Sequence, residues 1–108
     1  MNIWRHLTRR REYRKTWGTR VGQDCISLDT SLAAWLGARL TFLAEHAHGY
    51  PADRTPEEWA AQLRENGARL NAYVDHHSCE TTDAEERVIA EGQVAMRWVA
   101  ENLPTLWD

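Results

Sequence analysis

The sequence predicts an all-α fold, an antiparallel three-helix bundle preceded by a basic N-terminal arm or short helix. Apolar residues recur at three- and four-residue steps in three separate segments, which is the period of amphipathic helices. Each segment starts beside a residue that can cap a helix, and glycine or proline follows the first and the third. Because the connections between the segments are short, consecutive helices are expected to pack antiparallel.

The first segment, residues 27–50, is the longest with an unbroken helical period. Ser27 or Asp29 is placed to cap its first turn, and Gly49, in a left-handed cap before Pro51, is expected to stop it. We therefore expect a helix over residues 30–48, too polar to span a membrane. The apolar stripe that it should bury comprises Leu28, Leu32, Trp35, Leu36, Leu40, Leu43, Ala44 and Ala47.

The second segment has the clearest helix start in the chain. Thr55 can cap the helix, Pro56 suits the first helical position, and Glu58 completes a capping box. The helix is expected to run to about His77, although Gly67 weakens its middle by about 1 kcal/mol relative to alanine. Its predicted buried face consists of Trp59, Leu63, Leu70, Tyr73 and Val74.

The third segment also begins at a candidate capping box, formed by Thr82 and Glu85. Pro104 is expected to end this helix, after which Leu106 and Trp107 should pack back on the core. Its predicted stripe consists of Val88, Ile89, Gly92, Met96, Val99 and Leu103.

Each predicted helix has a glycine near its middle. Helix midpoints coincide in an up-down-up bundle, so Gly37, Gly67 and Gly92 are expected to lie at one level. Glycine there lets helices approach closely or leaves room for a large ring. Close packing is favoured over a ligand cavity because buried empty space is costly.

Charge divides the chain unevenly. Residues 1–20 hold seven basic residues and one glutamate, whereas residues 21–108 hold six basic and fifteen acidic residues. This contrast predicts a basic aromatic N-terminal arm at residues 1–22 and a helical bundle domain at residues 23–108. Arginines beside aromatic rings suit phosphate contact and base stacking, and the alternative is that the arm folds onto the acidic part. The residues predicted to bind nucleic acid or another anion are Arg9, Arg10, Arg11, Tyr13, Arg14, Lys15 and Trp17.

The chain has two cysteines and no hydrophobic signal segment, which predicts a cytoplasmic protein with free thiols. Up-down-up topology would bring Cys25, His76, His77 and Cys79 to one end of the bundle, and zinc accepts this kind of ligand set. Adjacent histidines on a helix point about 100° apart, so at most one of them is expected to reach a shared ion. The favoured expectation is that no cofactor binds. Cys25 would then pack as a small hydrophobe, and the histidines would be exposed at a helix end.

The sequence contains no nucleophile elbow, phosphate-binding glycine loop, redox cysteine pair or H-E-x-x-H motif. Most carboxylates lie at helix starts or on exposed faces, so we expect no enzymatic activity. Six tryptophans against one phenylalanine leave more apolar surface than a small helical body covers, which predicts a homo-oligomer.

Several sequence blocks carry a family resemblance: S-L-D at a helix start, A-R-L-T-F-L-A-E-H-A-H-G-Y-P, T-P-E-E-W, and a terminal N-L-P-T-L-W-D. Over nearly its whole length the chain resembles a family of small uncharacterised bacteriophage proteins, seen especially in phages of actinobacteria. Relatives usually have tryptophan before S-L-D and proline before R-L, where this chain has Ile26 and Ala38. The resemblance implies a phage origin and the host cytoplasm as the setting, and it implies no mechanism.

The leading hypothesis is a small non-enzymatic phage protein that binds a host or phage macromolecule and does not enter a membrane. One alternative is nucleic-acid binding through the basic N-terminal arm. Another is sequestration of a small anionic ligand between protomers.

Overall fold

The structure, a computed structural model, describes the backbone of residues 3–107 and the side chains of residues 9–107. These residues form five α-helices and two short 3-10 turns and contain no strand, which confirms the all-α prediction. The chain divides into two compact units, Met1–Leu32 and Ala33–Asp108. The predicted domain division after residue 22 stays a prediction.

The first unit contains α1 (Ile3–Trp17) and α2 (Arg20–Ile26). Helix α1 runs without a break through the run of basic residues from Arg9 to Lys15. Arginine and lysine are good helix formers, and neither glycine nor proline intervenes before Gly18. Thr19 caps α2, because its hydroxyl accepts a hydrogen bond from the Gly22 N–H at 3.0 Å.

The second unit contains most of α3 (Leu28–His46), which begins in the first unit, together with α4 (Pro56–Val74) and α5 (Thr82–Asn102). The 3-10 turns His76–Ser78 and Leu103–Thr105 follow α4 and α5. All three helices contribute to one core, as the predicted stripes indicated for Leu40, Trp59, Leu63, Leu70 and Val99. None of the helices in the described part of the chain combines the length and the apolarity that a membrane span requires.

The starts of α4 and α5 agree with the sequence to within one residue. Thr55 caps α4 as predicted, with its hydroxyl 3.1 Å from the Glu58 N–H. The cap of α5 is Thr81 rather than Thr82, since the Thr81 hydroxyl accepts from the Ala84 N–H at 3.1 Å. Adjacent threonines offer the same capping group, so the path of the preceding turn decides between them.

The ends of α3 differ from the prediction. The helix stops at His46, and no glycine among residues 3–107 has a positive φ, so Gly49 is not a left-handed cap. Leu28, Leu32 and Trp35 are exposed although the stripe placed them inside. The apolar band of α3 is wider than the part that the core covers.

Two of the three middle glycines lie at one level. A Cβ on Gly67 would lie 2.8 Å from the Thr41 hydroxyl and 3.2 Å from the Gly37 carbonyl oxygen, so α3 and α4 pack closely there. The prediction is wrong for Gly92, which faces the Tyr73 ring instead. Tyr73 lies six residues beyond Gly67, about 9 Å along the helix.

Candidate functional site

An apolar groove runs between α3 and the end of α5, entirely within the second unit. Its volume is about 430 Å³. The buried and half-buried residues at its base belong to the core, whereas Trp35, Phe42 and Leu103 are 55%, 62% and 65% exposed. Its lining consists of Trp35, Leu36, Arg39, Leu40, Phe42, Leu43, Val99, Leu103 and Leu106.

One wall of the groove is organised by Arg39. Its guanidinium carbon lies 4.0 Å from the centre of the Trp35 ring, and its Nη1 donates a hydrogen bond to the Trp35 carbonyl oxygen at 3.1 Å. The two residues are four apart on α3 and therefore lie on the same face. The cation–π contact restricts the orientation of a tryptophan ring that is 55% exposed.

Phe42 continues this wall one turn further along α3. Its ring stacks at a tilt on His46, with the ring centroids 4.4 Å apart. His46 also lies beside Glu45, with 3.7 Å between the imidazole nitrogen and the carboxylate oxygen. Trp35, Arg39 and Phe42 thus form a continuous strip at helical spacing.

The opposite wall comes from the end of α5. Helix α5 ends at Asn102, and the chain continues as the 3-10 turn Leu103–Thr105, which contains Pro104 and brings Leu106 onto the core. Leu103, predicted to be buried, is turned outward by this change of geometry. Leu106 packs as predicted, but Trp107 is exposed rather than packed on the core.

The basic residues of the predicted nucleic-acid site lie on α1. All seven predicted residues from Arg9 to Trp17 are exposed, and no ion pair involves them within the part of the chain that the structure describes. Tyr13 and Trp17 are 58% and 39% exposed and lie four residues apart, so they share one face of the helix.

The predicted metal ligands are distributed over both units. Cys25 is an exposed free thiol in α2, and Cys79 is a half-buried free thiol after the 3-10 turn. His76 and His77 lie in the second unit with their ring centroids only 3.9 Å apart. The two rings lie side by side, although adjacent side chains on a regular α-helix point about 100° apart. In the structure α4 ends at Val74, before both residues.

The carboxylate of Glu85, which was predicted only as part of a helix capping box, lies beside these histidines. His76, His77 and Glu85 each offer one ligand atom, and the three atoms lie within 4.8 Å of one another. The nine-residue separation of His76 and Glu85 spans a tight turn, so periodicity gave no signal for this group. The four-residue set with both cysteines stays a prediction.

Comparisons of the chain with protein-family models, with curated proteins and with solved structures find no match. The resemblance to bacteriophage proteins therefore stays a prediction. The groove, the basic helix α1 and the histidine cluster are the features of the chain that bear on its function.

Proposed function

We propose that the chain is a small non-enzymatic phage protein that binds a host or phage protein through the groove between α3 and α5. The observation that carries the proposal is the exposed Trp35–Phe42 strip facing Leu103 across an apolar floor. In this proposal α3, α4 and α5 form an antiparallel three-helix bundle that holds the two walls at a fixed distance.

The groove favours an amphipathic helix as the partner element. Trp35 and Phe42, with Arg39 between them, are seven residue steps apart on α3, which is about 10 Å or two helical turns. Side chains at positions i, i+4 and i+7 of a partner helix match that length. The exposed parts of Trp35, Phe42 and Leu103 amount to roughly 300–400 Å², the size of the patches that are often functional on monomers.

The character of the lining supports binding rather than catalysis. Arg39 is its one charged residue, and the guanidinium is engaged with Trp35. Catalytic pockets combine apolar walls with convergent acids, bases or nucleophiles. Tryptophan and arginine are, by contrast, the residues that most often dominate binding energy at protein interfaces.

Site-specific photo-crosslinking tests the proposal. A photoreactive phenylalanine analogue at Phe42 should capture one protein during infection, because this ring would insert against the partner helix. The same analogue at Val94, an exposed apolar position on α5 outside the groove lining, is the matched control. An equal yield of the same product from both positions would contradict docking in the groove.

A second candidate, nucleic-acid binding, is favoured by α1. Its exposed arginines have no partner among the described residues, and Tyr13 and Trp17 present two rings about 6 Å apart along one face. Cations for phosphates and rings for bases are the two components of single-strand binding. Deletion of residues 1–17 should abolish salt-dependent retention of DNA or RNA, and unchanged retention would exclude this function.

A further inference from the structure

The turn that joins α4 to α5 carries a cluster of three metal-ligating side chains. His76 and His77 lie in the 3-10 turn, and Glu85 lies in the first turns of α5. One ligand atom from each lies within 4.8 Å of the other two. The cluster belongs wholly to the second unit and is separate from the groove lining.

The contacts that fix the His76 ring are of the kind that usually support a metal-binding histidine. It is only 5% exposed, and its Nδ1 lies 2.8 Å from the Tyr73 carbonyl oxygen. A carbonyl only accepts hydrogen bonds, so Nδ1 carries the proton and Nε2 of the neutral ring has the free lone pair. Tyr73 also stacks on the imidazole, with the ring centroids 4.5 Å apart, which fixes the ring plane. A backbone carbonyl that fixes the tautomer is the common support of metal ligands.

His77 and Glu85 lie beside the fixed His76 ring and have side chains that can rotate. The Nδ1 of His77 lies 3.6 Å from Oε1 of Glu85, too long for a hydrogen bond. Two ligand atoms about 2.1 Å from a tetrahedral zinc ion lie roughly 3.4 Å from each other. His77 is exposed and Glu85 half-buried, so small rotations of these side chains close the remaining distance.

We propose that His76, His77 and Glu85 form a binding site for a divalent transition metal, with Zn²⁺ as the fitting ion. Two imidazoles and one carboxylate suit zinc, whereas Mg²⁺ and Ca²⁺ prefer oxygen ligands throughout. Water fills the fourth position on the solvent side of the exposed His77. The bound ion links the turn after α4 to the start of α5.

Calorimetric titration of untagged full-length protein with zinc chloride tests the site. The wild type is expected to bind one ion, and His77→Ala and Glu85→Gln should each weaken binding by at least ~10-fold, since even supporting residues of metal sites have effects of that size. His46→Ala is the matched control, because His46 is an exposed histidine beside a carboxylate at a similar distance. Absence of one-to-one binding, or full affinity in both variants, would overturn the proposal.

Two further measurements separate ligation from folding and identify the ligands. Zinc should raise the melting temperature of the wild type, whereas the two variants should melt like the metal-free wild type with or without zinc. The cobalt-substituted protein should show no thiolate-to-cobalt charge-transfer band. Such a band would overturn the proposed ligand set, because it would make Cys79 or Cys25 a ligand.

Discussion

Gly67 lies where α3 and α4 pack closely, and replacing it tests that contact. An added methyl group would meet the backbone of Gly37 and Thr41 at 3.2 and 3.3 Å and the Thr41 hydroxyl at 2.8 Å. Alanine favours the helix by about 1 kcal/mol, but overpacking a close contact costs about 1–3 kcal/mol. We therefore expect Gly67→Ala to leave stability unchanged or to lower it by up to about 2 kcal/mol, measured by urea unfolding.

The neighbouring exposed residue gives the control for helix propensity. Ala68→Gly should destabilise by about 1 kcal/mol through propensity alone. A Gly67→Ala protein stabilised by the same amount would show that no neighbour opposes the methyl group. That result would contradict the close packing of α3 and α4 at Gly67.

At the residue scale the sequence predicts the buried apolar positions better than the exposed ones. Trp59, Leu63 and Leu70 are buried as their spacing requires. Periodicity did not predict the exposure of Trp35, because it cannot tell how much of a wide apolar band the neighbouring helices cover. Nor did it predict that Asn66 is buried. Its amide donates to the Gln62 carbonyl and accepts from Arg69, so its polar groups are satisfied inside the unit.

The start of α5 offers a test at the scale of the element. The capping hydroxyl belongs to Thr81, although Thr82 beside it has the same chemistry. Thr81→Ala should lower the free energy of unfolding by about 1 kcal/mol, because the Ala84 N–H loses its partner. Thr82→Ala is the matched control and should change it by less than about 0.5 kcal/mol. If Thr82→Ala proved more destabilising than Thr81→Ala in thermal or urea unfolding, Thr82 would be the capping residue, as the capping-box pattern predicted.

Helix α1 provides the second test at this scale. If α1 binds nucleic acid, Arg10→Ala together with Arg14→Ala should remove two phosphate contacts. The slope of log affinity against log salt would then become shallower by about 1.4 for single strands. Tyr13→Ala should weaken binding by about 1–3 kcal/mol through lost stacking and leave the slope unchanged. Fluorescence anisotropy at several salt concentrations measures both, and identical slopes for all proteins would contradict phosphate contact by α1.

Element boundaries follow from the sequence where local chemistry is decisive. The T-P-E-E block fixes the start of α4 to the residue, since cap, proline and acidic first turn all agree. The sequence does not predict how far α1 extends, because a helix with many arginines shows no regular spacing of apolar residues. The approach of Glu85 to the histidines is missed for a different reason: it depends on a tertiary turn and not on any repeat.

At the scale of the whole molecule, the exposed apolar residues predict self-association when no partner is present. Trp35, Phe42 and Leu103 lie around one groove, and burying such surface between two copies is favourable. Light scattering should show a dimer at micromolar concentrations, and Phe42→Ala should shift the equilibrium toward monomer. A wild type that remains monomeric at these concentrations would contradict this expectation.

The proposed binding of a host or phage protein in the groove between α3 and α5 can be measured by quantitative affinity purification from phage-infected cells. The wild type and Val94→Ala should retain the same partner, whereas Phe42→Ala combined with Leu103→Ala should lose it by ~30-fold or more, as expected for two central interface residues. Equal melting temperatures of the three proteins would show that the loss of the partner results from the changed groove surface and not from unfolding. Undiminished recovery of that partner by the Phe42→Ala, Leu103→Ala double variant would exclude binding through the groove.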